Sequence, residues 1–462
     1  MSLSIGLSKV ISEFRCSIRL ALPIIASEVI YALNSFIATI MVSHLGKEHL
    51  AANALVWSIY LVVILFFMGV FCSVSVMVAQ SFGANDHDGI RVCFKQGLIM
   101  AVILSLPMML IMWVAPIVLV WTKQEPQVIL YAKPFFYSLI WSMLPLNIWV
   151  VIQQFLVGTT RGKLVMFMSI MAVPIEIFFY YAFLFGKFGL PKVGLAGIGH
   201  GLTASYFLIS GGFIAYLYFS KKLQGYTLFK RWWVIEYKFL LEMVRIGLPL
   251  GFMWCSEVLF FAVVAMMMGT LGVTVLAAYQ IAYQYLMVIL VILFALNQTV
   301  SVRIGNEVGR NDRGKLKLAA IVNILIGFGL MAIFMVFYIF FPEIAIGLDI
   351  DINSADFKAV ATEAMRFFPI VGILLMTDCV RLISCGALRG LKDTNFQMII
   401  SILGFWGIAF PSAYLLAFKF GFGGVGIWWG IVVGLLITGV MQLTRFNRLA
   451  KRVDLLSLVT RK

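Results

Sequence analysis

The chain has 462 residues, 62% of them hydrophobic and only 12% charged, and it carries a formal net charge of +15. That leaves too little polar side chain to cover a soluble core of this size, so a polytopic membrane protein is expected. The surplus of Lys and Arg would suit nucleic acid, but its placement along the chain argues for membrane orientation, and no nucleic-acid partner is expected.

Runs of about 20 apolar residues cross the hydrocarbon core. Twelve helical spans are predicted, at 17–42, 52–80, 93–120, 131–158, 164–186, 194–219, 244–270, 276–301, 315–342, 361–388, 394–418 and 424–446. The first lacks a small-residue cleavage pattern, so it is not expected to be a cleavable signal peptide. The polar stretch 220–243 divides the chain into an N-terminal six-span lobe, 1–219, and a C-terminal one, 244–462. In it, Lys221, Lys222, Lys230, Arg231, Trp232 and Trp233 suit an amphipathic segment on anionic headgroups as well as a solvated loop. Of the 35 Lys and Arg, 26 fall in or within one turn of the terminal segments and the even-to-odd connections and 7 likewise at the odd-to-even ones. The two others, Arg366 and Arg381, lie within span 10. This bias predicts that both termini are cytoplasmic. The six cysteines are scattered without a C-x-x-C pair and read as small packing residues.

The two halves repeat. Arg19, Leu22, Pro23, Leu45, Gly46, Leu50, Ala51 and Ala52 recur 226 residues later as Arg245, Leu248, Pro249, Leu271, Gly272, Leu276, Ala277 and Ala278. Gly83, Asn85 and Asp86 recur at the same offset as Gly309, Asn311 and Asp312. Arg161-Gly162 recurs as Arg389-Gly390, 228 residues on, and Lys187-Phe188-Gly189 as Lys419-Phe420-Gly421, 232 on. An even number of spans per copy gives a parallel repeat, whose product is two pseudo-symmetric six-helix bundles around a central cleft. Locally, Asn311 or Asp312 can cap span 9, Asp393 or Thr394 can cap span 11, and Arg389 is expected to anchor the membrane boundary.

Sixteen of the twenty acids fall in connections or near the membrane edges; Glu28, Glu176, Glu257 and Asp378 do not. An ionised acid at mid-bilayer costs at least ~2.5–3.5 kcal/mol, so each is a functional candidate. Glu257 lies twelve residues past Arg245 and Asp378 eleven before Arg389, about 16–18 Å along a helix. Both therefore sit near mid-membrane, and their counterparts in the first half are Tyr31 and Val150. Two carboxylates in a poorly hydrated site can keep a proton, or lose it and take a cation such as sodium through oxygen ligands. The structural alternative for Asp378 is an ion pair with Arg381, three residues on. Neutralising either acid is expected to leave the fold intact by relieving a desolvation cost.

The chain resembles the multidrug and toxic compound extrusion family, nearest its NorM-type branch. The resemblance is carried by Leu22-Pro23, His44-Leu45-Gly46, Leu50-Ala51-Ala52, Ala79-Gln80, Gly83-Ala84-Asn85-Asp86, Gly186-Lys187-Phe188-Gly189, Arg303-Ile304-Gly305-Asn306 with Gly309, and Gly386-Ala387-Leu388-Arg389-Gly390 with Asp393-Thr394. It implies a monomeric, cofactor-free exporter of bulky, often cationic compounds in the bacterial inner membrane, driven by inward sodium ions or protons. It also implies coupling roles for Glu257 and Asp378, which match the family's C-lobe acids. Two positions depart from the family pattern. Ala38 stands where members carry an acid late in span 1, and Leu374 where NorM-type members often carry a tyrosine. Glu176 falls where members commonly have an asparagine, so Glu28 and Glu176 are candidates for a replacement N-lobe acidic site or a spot for cationic substrate. Gln280, Tyr283 and Gln284 share one stripe of span 8, which the resemblance places on a substrate cavity wall.

Two other readings compete. A flippase for a lipid-linked sugar would share the architecture, but it would carry an excess of basic residues towards the cavity. A membrane-embedded enzyme would need a nucleophile–base set or clustered His and acid ligands, and the four scattered histidines, His44, His49, His87 and His200, supply none.

Overall fold

The computed structural model describes residues 2–221, 224–229, 234–352, 354 and 357–459. Lys222 and Lys230–Trp233, on which the amphipathic-linker reading rests, lie outside the described residues. The twelve spans are α1 Ser2–Ser43, α2 Lys47–Gly83, α3 His87–Trp121, α4 Pro126–Ile140 with Met143–Gly158, α5 Gly162–Phe185, α6 Ala196–Phe219, α7 Tyr237–Thr270, α8 Val273–Gly309, α9 Arg313–Phe340, α10 Lys358–Gly390, α11 Thr394–Lys419 and α12 Gly423–Arg452. A short helix, Pro342–Asp349, precedes α10. The fold is all-α and polytopic. Eleven helices among the described residues are long and apolar enough to cross a membrane, and the two parts of α4, bent by 53°, make the twelfth span. Pro145 sits just past that bend and supplies no N–H to the carbonyl of Trp141, which loosens the ladder there.

Several helices outrun their predicted ends: α7 begins at Tyr237, α8 runs to Gly309 and α12 to Arg452. Hydropathy sees the hydrocarbon-length stretch, whereas charged turns beyond it stay helical when their side chains find partners. Arg303, on one such turn of α8, donates from Nε to Glu13 Oε1 of α1 at 2.8 Å and from its terminal nitrogens to Glu13 and Glu307. Arg310 donates to the same Glu307 carboxylate at 2.8 Å. Glu13, Arg303 and Glu307 are all buried. Asn323 of α9 reaches Ser17 of α1 at 3.0 Å.

The chain forms two compact units. One joins the segment ending at Ala21 to Phe252–Leu458, and the other is Leu22–Gly251 with Val459. The cuts fall beside the repeat-related Pro23 and Pro249. The division at 220–243 follows the repeat; the compact units differ from it by the segments ahead of these prolines, each of which belongs with the other half's helices.

Within Leu22–Gly251, α7 approaches α2 backbone to backbone. A Cβ at Gly247 would lie 2.3 Å from the Val70 carbonyl oxygen, and one at Gly251 2.6 Å from that of Phe66. Small residues four apart permit this crossing. In the other unit the same device explains part of the Gly386-Ala387-Leu388-Arg389-Gly390 motif, because a Cβ at Gly386 would meet Asn297 O of α8 at 2.3 Å.

The repeated turns keep their geometry. Asn85 and Asn311 are both left-handed, with φ of 54° and 57°. Asp86 and Asp312 then cap α3 and α9, each accepting a backbone N–H at 2.9 Å, from Gly89 and Lys315. The Lys315 N–H holds the Asp312 carboxyl below its ordinary range. Two expectations fail here. Asp393 makes no side-chain cap and instead accepts from Arg445 Nε at 2.9 Å. Arg389, in the last turn of α10, does not point to headgroups: it is buried and donates to Ser301 Oγ at 3.1 Å and Asn297 Oδ1 at 2.6 Å, tying α10 to α8.

Candidate functional site

In the unit containing Phe252–Leu458, α7 and α10 bring together the charges they carry within their apolar spans. Arg381 of α10 donates from Nη2 to Glu257 Oε1 at 2.8 Å and from Nη1 to Glu257 Oε2 at 3.3 Å. Its Nε donates to Asp378 Oδ1, one turn earlier on the same helix, at 2.5 Å. The side chains of Arg381, Asp378 and Glu257 are only 1%, 2% and 13% exposed, so the cluster is removed from bulk solvent. With both acids ionised the three groups sum to one negative charge.

Two corrections follow. The acids do not form a bare carboxylate pair, since a guanidinium stands between them, and the Asp378–Arg381 ion pair is real but serves both acids. Neutralising one acid therefore removes charge-assisted hydrogen bonds instead of relieving an unpaired charge, and the remaining acid keeps the guanidinium paired.

α11 completes the surroundings. Its helix widens to π-turns at Leu403–Ala409 and Leu415–Lys419, on either side of Pro411. Proline denies the Gly407 carbonyl its usual partner, and such wide turns often accompany working sites. The first of them lays the Phe405 ring 5.1 Å from the Arg381 guanidinium carbon and lets Trp406 Nε1 donate to Ser256 Oγ at 2.9 Å. Neither aromatic stood out in the sequence, where α11 reads as an ordinary apolar span.

The predicted stripe on α8 is accessible. Gln280 and Gln284 are exposed, and Tyr283 is half-buried between Tyr279 and Phe261, with ring centroids 5.5 and 5.4 Å away. Phe261 lies one turn beyond Glu257 on α7, which sets the stripe close to the charged cluster.

In the Leu22–Gly251 unit, Glu176 of α5 is buried and its Oε2 accepts from Asn34 Nδ2 of α1 and, at 3.2 Å, from the Tyr180 hydroxyl. Glu176 Oε1 and Asn34 Oδ1 are buried with no hydrogen-bond partner among the described residues. Glu28 is half-buried, and both acids lie within electrostatic reach of the Tyr31 hydroxyl. Asn34 was not anticipated. It stands one turn before Ala38, so the amide is on α1 and the acid on α5, the reverse of the arrangement the family resemblance implies; a lone amide in an apolar run was the signal available. No group of three or more His, Cys, Asp or Glu among the described residues is placed to hold a metal ion.

The MatE family model matches residues 23–182 and 249–415, one stretch in each half of the repeat. The chain belongs to the MatE family. MatE proteins are membrane transporters, not enzymes. One curated relative, the probable multidrug resistance protein NorM of Rhizobium meliloti, is 30% identical over 443 residues, covering 96% of this chain and 95% of the relative. The Pseudomonas putida protein of the same description is 31% identical over 447 residues, 96% of each chain. Among solved structures, MATE in the bent conformation superposes with a TM-score of 0.86 at 18% identity over 98% of both chains. A superfamily transporter from Pyrococcus furiosus gives 0.83 at 19% identity over 96% of this chain and 97% of that one. At that identity the likeness speaks for the fold.

Proposed function

We propose that this MatE chain is an exporter of lipophilic, often cationic organic compounds, moving them by alternating access against inward flow of protons or sodium ions. The observation that carries the reading is the Glu257–Asp378–Arg381 cluster: three charges largely withdrawn from solvent within apolar spans, all in one copy of a repeat. Such a cluster costs free energy without strengthening the fold over an apolar packing, and intramembrane ionisable groups are kept where ions pass. A change of one unit in its charge biases a two-state bundle, because each charge there interacts through a poorly screening medium. The name carried by the relatives, multidrug resistance protein, agrees with export. Gln280, Tyr283 and Gln284 are assigned to substrate contact, an accessible polar stripe beside aromatic surface. The test is accumulation of a lipophilic cation dye in cells making the wild type, Glu257→Gln or Asp378→Asn.

The Glu176–Asn34–Tyr180 group is assigned a part in substrate handling in the other unit. Glu176→Gln and Glu28→Gln should each weaken export of some cationic substrates several-fold while gradient-driven export of others persists. Loss of all gradient-driven transport in either variant would move the coupling site out of the second unit.

Both termini are assigned to the cytoplasm on the 26-to-7 bias of basic residues, and a monomer in the bacterial inner membrane is what the family resemblance implies. In a cysteine-free background, an impermeant thiol reagent added to intact cells should label cysteine introduced at Lys123 or Asp351 and spare one at Lys221. Labelling at Lys221 from outside would invert the topology.

A further inference from the structure

We propose that Arg381 is a built-in cation that excludes sodium from the Glu257–Asp378 site. The inference rests on the export reading above and narrows it, leaving the proton as the driving ion of the two.

The donor set does not fit a sodium ion. Sodium is a hard cation that binds through oxygen lone pairs. Three of the four carboxylate oxygens already accept N–H donors from one guanidinium: both of Glu257, at 2.8 and 3.3 Å, and Oδ1 of Asp378. Arginine keeps its charge at any physiological pH, so it cannot vacate the site by losing a proton. A second unit charge about 4 Å away would be repelled by an amount that weakens binding on the order of a thousandfold.

The side chain is also held. It is 1% exposed, with the Phe405 ring 5.1 Å away on one side. Behind it α12 packs closely, since a Cβ at Gly439 would lie 3.1 Å from the Arg381 backbone nitrogen.

The repeat supplies an independent argument. With the 228-residue offset of Arg161 and Arg389, Arg381 corresponds to Gln153, as Asp378 does to Val150; Glu257 corresponds to Tyr31 at the 226 offset. In one copy all three positions are charged, and in the other all three are neutral. The arginine therefore accompanies the acids, as a counter-ion does, and the neutral copy shows that glutamine is accommodated at the equivalent place in this fold.

The experiment compares purified wild type with Arg381→Gln in detergent. Each is titrated with sodium chloride against choline chloride and followed by thermal melting and by binding of radioactive sodium. The wild type should show no saturable sodium binding and no sodium-specific rise in melting temperature. Arg381→Gln, with its carboxylates released, should bind sodium saturably at millimolar concentration and melt higher in it. Arg381→Met serves in its place if the glutamine variant does not fold. Saturable sodium binding by the wild type that is lost in Glu257→Gln overturns the proposal, and so does a folded Arg381 variant that ignores sodium. In proteoliposomes the wild type should export a lipophilic cation under a proton gradient with sodium absent; export only under a sodium gradient would overturn the proposal. A wild type that exports nothing under either gradient defeats the export reading instead, and the binding result stands apart from it.

Discussion

Cells making Glu257→Gln or Asp378→Asn at wild-type level should accumulate a lipophilic cation dye as cells without the exporter do, a loss of at least tenfold in export. The reason is electrostatic. With both acids ionised the wild-type cluster sums to −1, and either substitution brings it to zero with one carboxylate fixed against Arg381. No unit of charge is then free to be exchanged, so the gradient has nothing to act on. The protein should still fold. Asp378→Asn weakens one charge-assisted hydrogen bond and Glu257→Gln two, each worth about 1.5–3 kcal/mol, and either leaves the guanidinium paired with the other acid. Removing both acids at once is different: a fully buried guanidinium would lose every carboxylate, and the double variant should melt well below either single one. Dye binding to the purified single variants should change less than export, because Gln280, Tyr283 and Gln284 are separate residues. Wild-type export by both single variants would end the assignment.

The largest stability effect should come from the buried ion network of Glu13, Arg303 and Glu307. Arg303→Ala leaves Glu13, 5% exposed, without its guanidinium and takes from the buried Glu307 one of its two cationic partners. Removing one partner of a buried pair costs about 3–5 kcal/mol. Arg303→Ala should therefore lower the melting temperature in detergent by several degrees. Glu13→Gln with Arg303→Met, which withdraws both charges and fills the arginine's volume, should recover most of the loss. A single variant that melts like the wild type would show that water reaches this network.

The parts of this architecture legible in the sequence are those governed by hydropathy and local turn chemistry. The spans and the repeat follow from apolar length and residue offsets, and the caps by Asp86 and Asp312 follow from an Asx residue ahead of a helix. The acids within the apolar spans were legible too, because a charge in an apolar run is conspicuous. What surrounds them was not. Arg381 could be seen to reach Asp378 at i+3, but its bond to Glu257 depends on how α7 and α10 pack, a separation of 124 residues. Phe405 and Trp406 were hidden because the widening of α11 shifts which face they present. Asn34 passed as a minor polar residue, although its partner Glu176 lies 142 residues away. Arg389 misled for the opposite reason: a basic residue near a span's end usually meets headgroups, and here it is spent on helix-to-helix hydrogen bonds.

The division of α1 at Ala21 also sets an order of events during synthesis. Leu22–Gly251 can pack as soon as α7 has begun to emerge, since all but Val459 of that unit is then made. The turns of α1 ahead of Ala21 have no such early partners: Glu13 awaits Arg303, 290 residues further on, and Ser17 awaits Asn323, 306 further on. At translation rates of 5–20 residues per second that is a wait of roughly 15–60 s. This helical segment thus leaves the ribosome long before the partners that seat it, and its buried carboxylate stays without its arginine until Arg303 has been made.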